Sequence, residues 1–361
     1  MFFHHFLVSF YPAAFYGEET ESLMVGGLDV ALSKEPYGAF FNGNFAVCIF
    51  ILLSAFLFAG KTMRNRQNGT QDNLLTTIVQ RYLRLLIPVA VVVAAFYLFS
   101  TVVTALGLTI PGTTVPMSVP KLLAHLFVYQ WLMADSSIMG QLWCMYILFL
   151  GSFLAMFLAG CSEQKRKYMP LGYLLMGCFL FFLDSHFLLV MLGVLLADLH
   201  YYRRLDWVKA KMGKGIWAAG ILLILLGLFC GGYPTSATPV NPVYCLIHKI
   251  CFVGEPAGIM HFIGAFLLVG GIMILPKHPI LESRVFRFLG EISFGVYLIH
   301  QIVVNQLSYT LFNAFGKLGL TYGGKAALTF VITVPVVILI SAGFSYLIEK
   351  KINLLIKKIH L

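Results

Sequence analysis

Charge is scarce in this sequence. Asp, Glu, Lys and Arg together make up 11% of 361 residues, against roughly 25% in an ordinary soluble domain. A soluble fold of this size needs far more charged surface, so a soluble fold is excluded. The seven cysteines form no C-x-x-C pair and no Cys/His cluster, which removes the zinc signatures and leaves no metal site expected. A Gly-rich phosphate loop and paired inward carboxylates are absent too. Alternating strands of about ten residues, the mark of an outer-membrane barrel, do not occur. Internal repeats and matched broken helices are also missing, which argues against a transporter. Met1 falls inside an apolar run without a cationic segment or a cleavage site, unlike a secretory signal.

Apolar length is abundant. Hydrophobic residues reach 59% and aromatics 15%, led by 32 Phe. Residues 85–120, 136–162 and 326–348 carry no charge at all, and about 20 apolar residues suffice to cross a bilayer as a helix. Helix is the required conformation because lipid offers the backbone no hydrogen-bond partners. The expected fold is all-α: a polytopic transmembrane bundle of about ten helices. They are placed at 2–16, 38–59, 86–107, 142–159, 171–183, 185–198, 216–230, 259–275, 291–309 and 326–347. The whole of 1–361 reads as one integral membrane domain without a linker. The first helix is short for a crossing and is expected to be cut off at its cytoplasmic start.

The formal charge of +10 is an orientation signal. All but five of the 25 Lys and Arg fall in the segments 61–84, 161–170, 199–214, 276–290 and 348–361. The other five are Lys34, Lys121, Lys249, Lys317 and Lys325. The positive-inside rule makes the first set cytoplasmic, with both termini inside. The partner implied is a lipid bilayer, with no nucleic acid, and the location is the cell membrane. The same count favours a hairpin at Asp184-Ser185-His186, since one long helix through 171–197 would invert every later loop. The last fourteen residues, IEKKINLLIKKIHL, read as an interfacial helix on an anionic leaflet. Residues 119–133 form a second amphipathic stretch, suited to the outer interface. Cys230, Cys245 and Cys251 lie in or beside an outer loop, where a disulfide between two of them is one option.

Polar residues inside membrane helices are costly and therefore candidates for function. His4 and His5 sit in a helix made largely of Phe, Leu and Val; they suit a general base or an interhelical hydrogen bond. Arg81 and Arg84 are three residues apart and share a helix face. They suit a phosphate-bearing ligand or a plain positive-inside anchor. Ser293, Tyr297 and His300 form one polar stripe on an apolar helix, as a site or as a structural hydrogen-bond seam. Trp143 stands at a helix end, where an interfacial aromatic is common.

In order along the chain, these places resemble the acyltransferase-3 family of membrane acyltransferases, which decorate extracytoplasmic sugars. The carrying motifs are FFHH at 2–5, CIFILLSAFLF at 48–58, RYLRLLIP at 81–88, LWCMYIL at 142–148, LGEISFGVYLIH at 289–300 and YLIE at 346–349. The resemblance implies acyl-CoA, acetyl-CoA above all, as a cytoplasmic co-substrate held through its phosphates by Arg81 and Arg84. No permanently bound cofactor is implied. It also implies His4 or His5 as general base on a hydroxyl of an extracytoplasmic carbohydrate or glycolipid acceptor. His300 would orient the site or shuttle a proton, and Trp143, Tyr297 and Ser293 would bind substrate. Three departures stand out. Leu148 replaces the Glu of the Trp motif, Ala55 replaces a Gly, and the arginine that precedes the first-helix histidine is not in this sequence. The rival readings are a transporter or lipid-linked sugar flippase with histidine proton relays, and a catalytically degenerate relative.

Overall fold

The computed structural model describes the chain apart from residues 35, 71–72, 109–116, 163–166, 183, 251–254, 277–278 and 360–361. Every regular element among the described residues is helical. The longer helices are, in chain order, α1 (Phe2–Phe10), α2 (Gly43–Gln67), α3 (Leu74–Ala105), α4 (Gly140–Cys161), α5 (Met169–Phe181), α6 (Phe187–Tyr201), α7 (Gly215–Gly231), α8 (Pro256–Ile274), α9 (Arg284–Lys317) and α10 (Tyr322–Ile356). Six of these, α2, α3, α4, α8, α9 and α10, are long and apolar enough to cross a membrane. The helix Asp206–Met212 and α7, bent by 114°, would together supply a seventh. α1, α5 and α6 have only 9, 13 and 15 residues. Among the described residues, length and composition therefore give six candidate spans, and the expected ten crossings belong to the proposed topology.

Several helices begin or end well outside their apolar centres. α3 starts at Leu74 because the Asn73 side chain caps it, accepting from Thr76 N at 3.1 Å. That single cap supplies one of the amide partners a helix start lacks, and it places Arg81 and Arg84 inside the helix rather than before it. α9 starts at Arg284 behind the Ser283 cap. α1, expected to run to residue 16, stops at Phe10, and a separate turn, Ala13–Tyr16, follows Pro12. Proline has no amide to continue the first helix.

The core is built around α2, which packs on α4, α6 and α8. α6 meets α2 almost backbone to backbone at Gly193, where an added Cβ would lie 2.5 Å from the Leu52 carbonyl oxygen. α7 and α8 cross just as closely through Gly227 and Gly264. A Cβ on Gly227 would fall 2.6 Å from Leu268 N, and one on Gly264 would fall 2.8 Å from Gly227 O. In lipid, where apolar transfer drives little association, such close approach supplies the packing that holds helices together. Gly227→Leu is expected to force α7 from α8 and lower the thermal unfolding midpoint of the purified protein. Gly290→Ala, which meets no neighbour within 4 Å, should leave the midpoint unchanged.

Polar seams pin the helix ends. Asp198, wholly buried, accepts from Ser162 Oγ at 2.5 Å and pairs with Arg204, closing α6 against the end of α4. The α5–α6 hairpin turns where expected, with Asp184 Oδ1 accepting from His186 N at 2.9 Å. Residues 119–132 are helical and bury Leu122, Leu126 and Trp131. The last residues form Lys350–Ile356, continuous with α10 and tied to α3 by Gln80 Nε2 donating to Ile359 O at 3.0 Å. Cys230 and Cys245 are free thiols; Cys251 lies outside the described residues.

Candidate active site

His4 and His5 are consecutive on α1, so their side chains diverge by about 100° around the helix. His4 faces a small cavity of about 30 Å³ that it lines with Val8, Phe15, Ser33, Asn42 and Thr235. That is room for about one water or one hydroxyl. The ring meets Phe15 edge-on at 5.1 Å, and its other side rests on Gly43. A Cβ there would stand 2.7 Å from the imidazole, so only glycine lets α2 begin beside His4. The residue before it, Asn42, caps α2 through Oδ1 and donates from Nδ2 to Thr235 Oγ1 at 3.0 Å.

His5 turns the other way and meets His300 of α9, ring centroids 5.1 Å apart. His300 is wholly buried. Its Nδ1 lies 2.9 Å from Val296 O and 2.8 Å from Tyr297 O. Carbonyl oxygens only accept, so Nδ1 carries the proton and Nε2 presents a lone pair. That Nε2 is buried without a hydrogen-bond partner.

The two arginines line a different region. Arg81 donates from Nε to Ser152 Oγ at 2.9 Å and from Nη2 to Ser54 Oγ at 2.9 Å, and it lies 5.4 Å over the Phe58 ring. Its third contact is the Leu148 carbonyl at 3.4 Å. All of these partners are neutral, so the charge is steered without being cancelled. Pro88 stands one turn beyond Arg84 in α3, where it leaves the Arg84 carbonyl without its helical partner. Arg81 and Arg84 line two adjoining lobes. One of about 260 Å³ adds Lys61, Thr77 and Gln80. The other, of about 480 Å³, adds Phe50, Leu85, Ser293, Phe294, Glu349 and Asn353.

Sequence alone joined Ser293, Tyr297 and His300 in one stripe, and the structure divides them. Ser293 lines the arginine cavity, with its hydroxyl turned back to Gly290 O at 2.8 Å. Tyr297 is buried, its hydroxyl donating to Gln141 O while facing Cys144 Sγ at 3.2 Å. Its ring stacks on Phe50 at 5.6 Å, and Phe50 lines the larger arginine lobe. His300 closes the series against His5. Ser293 and His300 are about 10 Å apart along the helix; the arginines line the lobes beside Ser293, His4 lines its own cavity, and the rings of His5 and His300 lie between them in contact. Trp143 is at neither: its ring meets His186 at 4.9 Å. Leu148, at the position of the family's Glu, lines the larger arginine lobe.

Sequence reasoning missed His261. It is wholly buried in α8, its Nδ1 2.9 Å from Asn44 Nδ2 and its Nε2 2.9 Å from Tyr233 O. The carbonyl fixes the proton on Nε2, and Asn44 donates to Nδ1. This ring holds together the loop behind Asn42 and Thr235. The rule that singled out His4, a costly side chain in an apolar helix, applies to it equally.

The cavity at His4 is covered by the segment 17–42, and Asp29 organises that segment. Burial alone would raise its carboxyl. Hydrogen bonds from Ser22 Oγ and from the amides of Leu23, Met24 and Val30 outweigh burial and hold it below the usual range. A depressed carboxyl contributes stability above its unfolded value, about pH 4, and loses it as pH falls further. Protease protection of this segment should therefore stay level between about pH 5 and 8 and fail below about 4. Asp29→Asn should lose protection at every pH; unchanged protection in that variant at neutral pH would contradict the assignment.

The helical bundle thus holds an arginine-lined cavity and, apart from it, a row of imidazoles. Comparison with known proteins identifies the group. The chain matches the acyltransferase domain of the acyltransferase-3 type over residues 1–349 and belongs to that family. Among curated relatives, Acyltransferase R4 of Phoma sp. (strain ATCC 20986 / MF5453) is 30% identical over 146 residues, which are 38% of this chain and 31% of the relative. Acyltransferase clz18 of Cochliobolus lunatus is 30% identical over 139 residues, 37% of this chain and 30% of the relative. The chain thus spans under a third of the length of these two relatives. No solved structure matches it.

Proposed function

We propose that this protein is an acyltransferase, an O-acetyltransferase of the cell membrane, moving the acyl group of cytoplasmic acyl-CoA to a hydroxyl of an extracytoplasmic carbohydrate or glycolipid. The single observation that carries the reading is a pair of separate cavities linked by a run of ring contacts, from His4 through His5, His300 and Tyr297 to Phe50. One is cationic and lies beside the basic helix ends; the other is small, polar and headed by His4. The charge count puts the first on the cytoplasmic side and the second outside, with ten crossings and both termini inside.

In this scheme Arg81 and Arg84 hold the donor's phosphates, and its arm runs inward past Ser293 and Tyr297. The acceptor hydroxyl enters beside Asn42 and Thr235, and His4 takes its proton. The freed oxygen attacks the thioester carbonyl, the C–S bond breaks, and the thiolate leaves with that proton as coenzyme A. His300, its proton fixed on Nδ1, packs its ring against His5 and so helps to hold the imidazole row in place. Trp143, which meets His186, is assigned to the outer rim. Family membership supports acyl transfer over transport. Membranes containing the protein should move radiolabel from acetyl-CoA to an endogenous glycoconjugate, identified by mass spectrometry of surface glycans with and without the gene. Movement of an acceptor across the bilayer with no covalent change would overturn the reading.

A further inference from the structure

Three buried polar atoms in the larger arginine lobe have no hydrogen-bond partner: Arg84 Nε, Glu349 Oε1 and Asn353 Oδ1. Each such atom costs stability when left dry, and three on residues that line one cavity point to an occupant. The occupant must accept once, for the guanidinium N–H, and donate for the two oxygens. It must also be largely aliphatic, since Phe50, Leu53, Leu57, Leu85 and Ile352 line the rest of that space. Glu349 reaches this space from a π-helical turn, Ser345–Glu349, of a kind that often marks functional positions. Gly295 of α9 leaves it room: a Cβ there would lie 3.4 Å from Glu349 Oε1 and 3.2 Å from Ser345 Oγ.

Both lobes share Arg81 and Arg84. A ligand with its anionic part at the guanidinium groups therefore extends two ways. One arm goes toward Lys61, Thr77 and Gln80, the other past Glu349 and Asn353 toward Phe50. We propose that Glu349 and Asn353 form the subsite for the amide-bearing pantetheine arm of the acyl donor, an assignment that rests on the donor reading above. Its amide N–H groups donate to Glu349 Oε1 and Asn353 Oδ1, and an amide carbonyl accepts from Arg84 Nε. The diphosphate sits at the junction and the nucleotide in the smaller lobe. The thioester then lies on the Tyr297 side, toward His300 and His5.

Calorimetric binding to the full chain in nanodiscs tests this, with coenzyme A and with its nucleotide part alone, 3′-phospho-ADP. Glu349→Gln and Asn353→Leu should each weaken coenzyme A about tenfold or more, the scale of one hydrogen bond to a charged or buried group. Both should leave 3′-phospho-ADP within about twofold of wild type, which also shows that the variants are folded. Equal weakening of both ligands, or of neither, overturns the subsite. Failure of the wild type to bind coenzyme A overturns the donor reading itself and the subsite with it. A co-purified phosphatidylethanolamine that Glu349→Gln releases, and that coenzyme A does not displace, would assign the cavity to lipid and overturn the proposal.

Discussion

His4→Ala should reduce acyl transfer by about 100- to 10,000-fold, the usual contribution of a positioned general base. The loss is expected in kcat, with the KM for acyl-CoA nearly unchanged, because His4 lines neither of the arginine lobes proposed for the donor. His5→Ala should cost less, since His5 faces His300 rather than the cavity of Asn42 and Thr235. The double variant should be inactive. Gly43→Ala is the sharper companion, because it leaves both imidazoles in place. Its Cβ would meet the His4 ring at 2.7 Å, so the ring must turn, and a misplaced base loses rate steeply. A double variant with transfer within a few-fold of wild type would exclude these histidines as the base.

Arg81→Ala should raise the KM for acyl-CoA roughly ten- to a hundredfold, as expected for loss of one charge-assisted hydrogen bond. It also strips Ser54 and Ser152 of their partner, so a lower unfolding midpoint is expected beside the kinetic loss. Arg81→Lys keeps the charge but lacks the fork that reaches both serines and a phosphate at once, and it should fall between the two. Arg64 is the control for a simple topological anchor. It also belongs to the basic end of the bundle, but it reaches out to Tyr201, 3.4 Å away. Arg64→Ala should change KM little. Equal effects at 64 and 81 would make both of them anchors.

The apolar stretches marked where helices lie far better than where they end. Hydropathy opened the third helix at 86, after the arginines, whereas Asn73 caps it twelve residues earlier. Charged turns at a membrane surface are invisible to an apolar count, yet a single side-chain cap extends helix through them. The break at Pro12 was readable, because proline cannot supply the missing amide, but the apolar run hid it. Length and composition qualify six of the ten expected spans among the described residues; α1, α5 and α6 are apolar and helical but shorter.

The site was legible in its parts and illegible in its assembly. His4, Arg81, Arg84 and His300 stand out because polar groups in lipid are expensive. Nothing in local sequence joins Asn42 to Thr235, 193 residues away, or sets Glu349 opposite Gly295. These pairings come from helix crossings that glycines permit, and the distances involved exceed any periodicity. Arg81 shows the limit plainly. Its type and spacing suited a phosphate-bearing ligand or a plain anchor, while its neutral cradle of Ser54, Ser152 and the Leu148 carbonyl emerged only from packing.

Sidedness is the most direct thing to measure. Sealed vesicles carrying the protein in one known orientation would receive labelled acetyl-CoA on one face and acceptor on the other. Labelled product is expected only when acetyl-CoA meets the face of Arg81 and Arg84 and the acceptor meets the face of segment 17–42. Equal labelling with both substrates confined to a single face would contradict a donor and an acceptor meeting inside the bundle from opposite sides.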